Sequence, residues 1–526
     1  MRVRSAVRLL LLGLLAPAVA LLSSADAQTL LRTLDTPNPP GGYFGYSVAV
    51  GDVNGDGKAD IAVGAYGEVV GGNVGQGRAY VFSGASGALL LTLNTPNPQA
   101  QANFGGSIVV GDVNGDGNGD IAVGAYYEDV GGNANQGRVY VFSGATGALL
   151  FTLDTPNPQA EVSFGLAVAV GNVNGDGKAD IAVGAFREDV VGGNANQGRA
   201  YVFSGATGAL LFTLDTPNPQ AEVHFGLAVA VGDVNGDGKG EIAIGAPGED
   251  VGAYVDQGRA YVFSGVTGAL LSTLNTPNPQ PNPQAHAYFG RSVTVGDVNG
   301  DGKADITVGA PSEWVNWIPQ GRTYVFSGAD GSLLLTLTVG GELVGGVVAV
   351  GDVDGDGKAD IAIGDPGAWM DPDKPNEGRA HVISGATGAR LFTLRTPNPQ
   401  ALAEFGYSLA VGDVNGDGKG EIAVGAPYED VGSNGSQGRA YVYSGPATPT
   451  LTPTPTRTPV PATPTPMPTR PVGVGGLVNL PPAAIAAESA APADGSGWTV
   501  GGYAALGGMV VVIAVGGWYA RRRRLR

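Results

Sequence analysis

Short apolar runs separated by glycine, asparagine and proline recur along most of this chain of 526 residues. Residues 164–214 contain four such runs, LAVAVGNV, DIAVGA, RAYVFSG and LLFTL, which are rich in β-branched and aromatic residues. Runs this short, bounded by turn residues, are typical of β-strands, and residues 28–446 show no helical periodicity. The pattern therefore predicts a unit of four short antiparallel strands.

The unit recurs seven times, and each copy carries an acidic, glycine-rich decapeptide after its first run. The first decapeptide is GDVNGDGKAD, and the second residue of each copy falls at 52, 112, 172, 233, 297, 352 and 413. A period of 55 to 64 residues is typical of propellers, solenoids and arrays. Seven units of four strands predict an all-β fold, a seven-bladed β-propeller over residues 28–446.

The two ends of the repeat array predict that the ring is closed. The last unit ends with AYVYSG at 440–445 and lacks a fourth strand, whereas an additional strand-like run, LLRTL, stands at 30–34. We therefore expect the N-terminal strand to complete the seventh blade. A linear solenoid would instead leave both edge strands open to aggregation.

Each decapeptide holds oxygen-bearing side chains at positions one, three, five and nine, counted from its second residue. In the first copy these are Asp52, Asn54, Asp56 and Asp60, and a glycine at position six permits a sharp turn. The carbonyl group of position seven, Lys58, can point inward as well. Such a set of hard oxygen ligands suits Ca²⁺, at about 2.3–2.6 Å, better than Zn²⁺ or Cu²⁺.

The sequence thus predicts up to seven calcium ions with a mainly structural role. The predicted ligands, with position seven contributing its carbonyl oxygen, are Asp52, Asn54, Asp56, Lys58 and Asp60; Asp112, Asn114, Asp116, Asn118 and Asp120; Asn172, Asn174, Asp176, Lys178 and Asp180; Asp233, Asn235, Asp237, Lys239 and Glu241; Asp297, Asn299, Asp301, Lys303 and Asp305; Asp352, Asp354, Asp356, Lys358 and Asp360; and Asp413, Asn415, Asp417, Lys419 and Glu421.

Two other interpretations of the decapeptide compete with a calcium site. An EF-hand requires a glutamate at position twelve and flanking helices, but position twelve of the first copy is Val63 and the flanks are strands. A hairpin turn without metal would also use Asn-Gly and Asp-Gly. However, 21 of the 47 acidic side chains of the chain fall at predicted ligand positions, which favours calcium.

Two further motifs recur in the repeat. Phe-Gly stands at 44–45, 104–105, 164–165, 225–226, 289–290 and 405–406, and Gly-Ala-Pro at 245–247, 309–311 and 425–427. With these motifs, residues 28–446 resemble the FG-GAP repeats that build the propeller head of integrin α subunits and related bacterial surface proteins. The sixth unit departs from both motifs, and the first three have an aromatic residue in place of the proline.

The resemblance implies which face of the propeller binds a ligand. The calcium hairpins would join the first and second strands, whereas the ligand-binding loops on the opposite face would join strands two to three and four to one. Two of those segments are unusual, PSEWVNWIPQ at 311–320 and DPGAWMDPDKPNE at 365–377. Trp314, Trp317 and Trp369 are therefore candidate ligand-binding residues for a protein or glycan, unless they pack between blades.

Both ends of the chain predict a location at the cell surface. Residues 1–27 have basic residues, an apolar run and an A-x-A site, as in a secretory signal peptide, with an uncleaved anchor as the alternative. Residues 447–497 are a Thr/Pro-rich stalk and linker. Residues 498–520 are uncharged and long enough to span a bilayer, and the basic tail 521–526 is expected in the cytoplasm.

Composition narrows the function classes. The net charge is −18, and it is −25 without the predicted signal and tail, which argues against a nucleic-acid-binding surface. There is no cysteine, and the three histidines, His224, His286 and His381, form no catalytic pattern in the sequence. We therefore expect a binding protein for adhesion, not an enzyme. A purely structural envelope protein and a polysaccharide-active enzyme are the alternatives.

A Gly-Arg pair opens the third strand of every unit. We expect these arginines to be structural, pairing with a nearby acid or carbonyl group. They are Arg78, Arg138, Arg199, Arg259, Arg322, Arg379 and Arg439.

Overall fold

The computed structural model describes residues 28–446, apart from 191, 193, 278–284, 316–317, 340–344 and 369–374. These described residues form seven four-stranded antiparallel sheets and one two-stranded hairpin. The sheets are the blades of a propeller, numbered one to seven in the order of their first strands. The predicted all-β, seven-bladed architecture is confirmed. The predicted signal peptide, stalk, membrane span and tail lie outside the described residues.

The strands follow the predicted runs closely. The chain begins with β1 (Leu30–Leu34). Blades one and two comprise β2 (Ser47–Gly51), β3 (Asp60–Ala65), β4 (Arg78–Phe82) and β5 (Leu89–Leu93), then β6 (Phe104–Gly111), β7 (Asp120–Ala125), β8 (Arg138–Phe142) and β9 (Leu149–Leu153). Blades three and four comprise β10 (Val168–Gly171), β11 (Asp180–Ala185), β12 (Arg199–Phe203) and β13 (Leu210–Leu214), then β14 (Ala228–Gly232), β15 (Glu241–Ala246), β16 (Arg259–Phe263) and β17 (Leu270–Leu274).

The remaining blades differ in two places. Blade five comprises β18 (Ser292–Gly296), β19 (Asp305–Ala310), β22 (Arg322–Phe326) and β23 (Leu333–Leu337), with the additional hairpin β20 (Trp314–Val315) and β21 (Ile318–Pro319) between its second and third strands. Blade six comprises β24 (Val348–Gly351), β25 (Asp360–Asp365), β26 (Arg379–Ile383) and β27 (Arg390–Leu394). Blade seven comprises β28 (Ser408–Gly412), β29 (Glu421–Ala426) and β30 (Arg439–Tyr443), with β1 as its fourth strand.

The apolar pattern explains where each strand lies in its blade. The second strand is apolar on both faces and is buried along its whole length, as in β3, whereas the fourth strand exposes most of its residues, as in β5. First strands of neighbouring blades contact each other, so they surround the central axis. The buried side chains form clusters that extend across neighbouring blades, and the hydrophobic core therefore lies mainly between blades.

The glycines of the Phe-Gly and Gly-Ala motifs lie where neighbouring blades meet, whereas the phenylalanine packs within its own blade. Phe44 is fully buried, and its ring centroid lies 6.0 Å from those of Tyr80 and Phe82. A Cβ atom on Gly105 of blade two would overlap the carbonyl oxygen of Arg78 in blade one. A Cβ atom on Gly64 of blade one would in turn overlap the carbonyl oxygen of Gly105. Only glycine permits this close approach of the two backbones.

The N-terminal strand closes the ring as predicted. Strand β1 pairs antiparallel with β30, with Leu34 opposite Ala440. The hydroxyl group of Ser408 in blade seven donates a hydrogen bond to the carbonyl oxygen of Gly45 in blade one, over 2.8 Å. The same serine-to-glycine bond joins blade one to blade two, from Ser47, so the first and last blades meet as blades one and two do.

Candidate metal loops and binding face

The acidic segments connect the first and second strands of all seven blades, and every predicted metal ligand lies in them. We call them loops one to seven, and their residues are 52–60, 112–120, 172–180, 233–241, 297–305, 352–360 and 413–421. We call the end of the propeller that carries them the loop face. The opposite face carries the connections from second to third strands and from each blade to the next.

Side-chain oxygens in loop one organise the backbone of the turn. The Asp52 carboxylate accepts hydrogen bonds from the backbone N–H groups of Gly55 (2.7 Å), Asp56 (3.1 Å) and Gly57 (2.8 Å). The Asn54 side-chain oxygen accepts from the N–H group of Asp56 over 2.9 Å. The oxygens at positions one, three and five therefore belong to one tightly folded turn, as the sequence predicts.

The carboxylate at position nine has a second role that the sequence did not reveal. Asp60 is buried and accepts hydrogen bonds from the backbone N–H groups of Val53 (3.0 Å) and Asn54 (3.2 Å). Its other oxygen accepts from the N–H group of Gly84, which follows the third strand, over 3.0 Å. Position nine thus ties the acidic loop to the neighbouring turn of the same blade.

Burial makes the charged form of position nine costly in the absence of a cation. Burial raises the pKa of Asp60 to about 6, although the backbone hydrogen bonds act in the opposite direction. The same cause raises the pKa to about 6 in Asp120 and Asp305, and to about 7 in Glu241, Asp360 and Glu421. A nearby divalent cation would favour the ionised form of each of these groups.

The individual loops differ in the charge of the side chain at position one and in the length of the side chain at position nine. Asn172 of loop three has a single side-chain oxygen, which accepts from the N–H group of Gly175 over 2.8 Å. The longer Glu241 and Glu421 still accept from the loop backbone, from the N–H groups of Val234 (3.1 Å) and Val414 (2.8 Å). Loop three therefore keeps only part of the hydrogen-bonding pattern at position one, since Asn172 accepts from Gly175 whereas Asp52 accepts from Gly55, Asp56 and Gly57.

Loop six, which has an aspartate at position three, brings three carboxylates together at the spacing that a cation requires. The carboxylates of Asp352, Asp354 and Asp356 each offer an oxygen within 4.8 Å of the others. Two oxygens that bind the same Ca²⁺ at about 2.4 Å are at most about 4.8 Å apart. An all-oxygen set with this spacing fits Ca²⁺, and the position-one and position-five carboxylates recur in the other loops except for Asn172.

The seven loops are linked to one another in a closed ring of hydrogen bonds. In each link, the backbone N–H group at position eight of one loop donates to the carbonyl oxygen at position one of the preceding loop, over 2.6 to 2.8 Å. The donor–acceptor pairs are Gly119–Asp52, Ala179–Asp112, Gly240–Asn172, Ala304–Asp233, Ala359–Asp297, Gly420–Asp352 and Ala59–Asp413. The last pair joins loop one to loop seven and completes the circle.

The opposite face is held together by a buried glutamate in most blades. In blade two, Glu128 accepts hydrogen bonds from Tyr140 (2.8 Å) and Arg138 (3.2 Å) of its own blade and from Asn97 of blade one (2.9 Å). Arg138 also pairs with Asp154 over 2.6 Å. The structural role predicted for the Gly-Arg arginines is confirmed here, because the guanidinium group lies between two acids.

Sequence reasoning missed the glutamate itself. It recurs three residues after the alanine of Gly-Ala in the second-to-third-strand connections, and this recurrence was the available signal. The glutamates are Glu68, Glu128, Glu188, Glu249, Glu313 and Glu429.

A cluster of tyrosines on the opposite face was also missed. Tyr46 and Tyr407 are buried with ring centroids 4.9 Å apart, and Tyr43, Tyr66 and Tyr428 pack against them. These residues come from blades one and seven and meet only through ring closure. The signal in the sequence is that the residues flanking Phe-Gly differ from blade to blade, whereas the second and third strands of the repeat hardly change.

Comparison with known proteins identifies the repeat. The family model described as FG-GAP repeat matches residues 44–82, 104–142, 164–203, 225–263, 289–326, 344–383 and 405–443, together just over half of the chain. The chain belongs to the FG-GAP repeat family. The matched segments run from the Phe-Gly position to the end of the third strand of each blade.

The FG-GAP propeller is similar to integrin α subunits. It is 30% identical to integrin alpha-PS2 of Drosophila melanogaster over 257 residues, which are 43% of this chain and 17% of that protein. It is 31% identical to integrin alpha-5 of Xenopus laevis over 255 residues, 45% of this chain and 23% of that protein. The chain therefore spans less than a quarter of the length of these relatives.

Blade six carries the atypical FG-GAP repeat, and its departures compensate one another. Ala368 stands at the place of the buried glutamate, and the preceding connection has no Thr-Pro-Asn to bind one. Arg379 pairs instead with Asp365 over 2.8 Å. His381 replaces the tyrosine and is buried, with Nε2 3.9 Å from the Asp365 carboxylate.

The structure describes one of the three candidate tryptophans. Trp314 begins the additional hairpin of blade five, pairs with Pro319 and is 45% exposed. Trp317 and Trp369 lie outside the described residues.

Within the described part of the chain, the structure contains no helix that is long and apolar enough to cross a membrane. The span predicted from the sequence, 498–520, lies outside that part.

Proposed function

We propose that this FG-GAP propeller is a calcium-binding cell-surface protein that mediates adhesion by binding an extracellular protein or glycan through its opposite face. It acts by binding and not by catalysis. Calcium in loops one to seven stabilises the propeller, and the predicted signal, stalk and span hold it outside the cell. The observation that carries the proposal is that the two faces differ in which residue types adopt positive φ angles.

Different types of residue adopt positive φ angles on the two faces of the propeller. In the acidic loops the left-handed residues are glycines, as Gly55 and Gly57 in loop one. On the opposite face, sixteen described non-glycine residues adopt φ between 48° and 64°. Six of them precede the Phe-Gly motif, at Tyr43, Asn103, Ser163, His224, Tyr288 and Glu404.

Side chains are therefore retained on the opposite face at positions where glycine would be less strained. Strain of this kind tends to be kept where a side chain is needed for function. The six side chains before Phe-Gly are all different in type except for two tyrosines. This variety supports a shaped binding surface better than a purely structural role.

Similarity to integrin α subunits supports the same conclusion. The exposed Trp314 and the half-buried Tyr43, Tyr66 and Tyr428 of the tyrosine cluster add aromatic area, which is common at the energetic centres of interfaces. Similarity to part of a relative does not identify the ligand, so the partner is proposed only by class.

Calcium is tested by titration into the EDTA-stripped full-length protein in detergent. We expect the melting temperature to rise as ions bind, with up to seven ions counted by mass spectrometry. For Kd of about 0.1 mM in about 1 mM calcium, each site would add about 1.4 kcal/mol to the free energy of unfolding. No rise, or no bound calcium, would contradict the calcium part of the proposal.

A matched pair of variants assigns the ions to the loops. Replacing Asp52 and Asp56 by asparagine should remove one bound ion. Replacing Asp330, an exposed aspartate of a turn outside the loops, by asparagine should leave the ion count unchanged.

Ligand binding is tested with arrays of glycans and extracellular-matrix proteins. The triple variant W314A/W317A/W369A should lose the captured ligand while its melting temperature stays close to that of the wild type. Retained binding would exclude the tryptophans, and the absence of any ligand would favour a structural envelope protein. Turnover of an arrayed glycan would favour an enzyme.

A further inference from the structure

The side chain at position seven of each loop lies across the preceding loop. Six of the seven residues are lysines. The stem of Lys178 in loop three covers Gly115 of loop two, where an added Cβ atom would lie 3.0 Å from Lys178 Cε. The same arrangement recurs around the ring, with corresponding distances of 2.8 to 3.2 Å, for Lys239 over Gly175, Lys303 over Gly236, Lys358 over Gly300, Lys419 over Gly355 and Lys58 over Gly416.

Each lysine is therefore a fixed neighbour of an acidic loop that is not its own. The hydrogen bond from position eight to position one of the preceding loop holds the two loops together at this point. Because Cε carries the ammonium group and lies over the glycine that directly follows the position-three ligand, each ammonium group lies beside the candidate ligands of the preceding loop.

Loop one is the exception. The residue at position seven of loop two is Asn118. Its side-chain oxygen lies over Gly55 of loop one, whereas a lysine stem covers the equivalent glycine of the other loops. Asn118 is uncharged and binds Asp116 of its own loop, donating from Nδ2 over 2.9 Å. Loop one has three carboxylates and no lysine from the following loop, whereas each of the other loops has one.

We propose that the position-seven side chain sets the divalent-cation affinity of the preceding loop, so that six loops are weakened by a lysine and loop one, next to Asn118, is not. The inference rests on the proposed calcium binding. An ammonium group repels a divalent cation in the adjoining loop and partly neutralises its carboxylates when the cation is absent. At the distances of neighbouring loops, this repulsion corresponds to roughly a threefold to tenfold change in Kd at low salt.

Charge and packing are separated by replacing the same residue with lysine and with methionine. The variants N118K and N118M both lose the Asn118–Asp116 hydrogen bond and both fill the space over Gly55, but only N118K adds a charge. In the full-length protein, calcium competition against a chromophoric chelator counts the ions that bind with the highest affinity. We call these ions the tight class. We expect N118K to lose one tight ion and N118M to keep it.

The reverse exchange is K178M, which removes the charge next to loop two. It should add one ion to the tight class. The differences among N118K, N118M and K178M should shrink between 20 mM and 0.5 M KCl, because salt screens the interaction. As a control for net charge, V74K adds a lysine at an exposed position of the opposite face and should leave the tight class unchanged.

The outcomes distinguish the two proposals. If the wild type binds no calcium, the calcium part of the proposed function is wrong. If the wild type binds calcium but N118K and N118M bind it equally, or the differences do not depend on salt, the role of position seven is overturned.

Discussion

Glu404 combines strain, burial and charge in one side chain. It precedes Phe-Gly in blade seven, adopts φ of 52° and lies beside Tyr407 and Tyr428. Burial raises its pKa to about 7 from an ordinary value of 4.5. Because burial disfavours the ionised form of Glu404, this side chain should make the stability of the protein depend on pH.

Replacing Glu404 by glutamine should stabilise the protein at high pH. A folded-state pKa above the unfolded-state pKa contributes stability that is present below about 4.5 and is lost as the pH rises through about 7. E404Q removes this loss, so its advantage over the wild type should be near zero at pH 4.5 and about 3 kcal/mol at pH 8. Urea unfolding at pH 4.5, 6 and 8 measures the difference.

The control is E161Q, at an exposed glutamate of the same face in blade three. It should show little pH dependence relative to the wild type. An advantage of E404Q that does not change between pH 4.5 and pH 8 would mean that the Glu404 carboxyl group titrates normally.

Within a blade, the glycines at positive φ serve two different purposes. Gly105 of the Phe-Gly motif has φ of +86° and no space for a Cβ atom beside the Arg78 carbonyl group. Gly117 of loop two has φ of +85°, but no atom lies within 4 Å of an added Cβ. Comparing substitutions at Gly105 and Gly117 therefore separates the effect of backbone strain from the effect of steric overlap between two blades.

Alanine should therefore be far more damaging at Gly105 than at Gly117. G117A adds only the strain of a left-handed alanine, about 1 kcal/mol. G105A adds the same strain and also forces blades one and two apart, and we expect it to cost at least about 3 kcal/mol. Thermal and urea unfolding measure both losses of stability. Equal losses in G105A and G117A would show that blades one and two can accommodate a Cβ atom at Gly105 at little cost.

The four-strand unit was predictable because its apolar runs and turn residues are local signals. DIAVGA in blade three coincides with β11, whereas LAVAVGNV shortens to β10 because the chain turns into the acidic loop at Asn172. The hairpin β20–β21 was not predicted, since PSEWVNWIPQ resembles a loop in composition. The links between acidic loops depend on the distance between blades, which no local pattern contains.

At the scale of the whole molecule, closure was predictable from one missing strand and one additional strand. The sequence could not show how much of the molecule depends on it. The tyrosine cluster, the link from loop one to loop seven and the hydrogen bond from Ser408 to Gly45 exist only in the closed ring. Strand β1, which closes the ring, therefore supports both the loop face and the opposite face.

Deleting residues 29–35, which removes β1 but keeps Thr36, should destabilise the protein by roughly 3–5 kcal/mol and promote self-association. The N–H and C=O groups of the outer edge of β30 would lose their partners and could pair with another molecule. Thermal unfolding and sedimentation velocity of the full-length protein measure the two effects.

Closure itself is tested by restoring β1 as a separate peptide. A synthetic peptide of residues 28–36 should raise the melting temperature of the deletion variant and return it to a monomer, because the vacated edge of β30 is a template for a strand of that sequence. A peptide with the same composition in scrambled order should not do so, since the apolar residues of β1 would lose their register. If neither peptide has an effect and the deletion variant remains a stable monomer, blade seven does not depend on the N-terminal strand, and the other contacts between blades one and seven are sufficient to hold the ring.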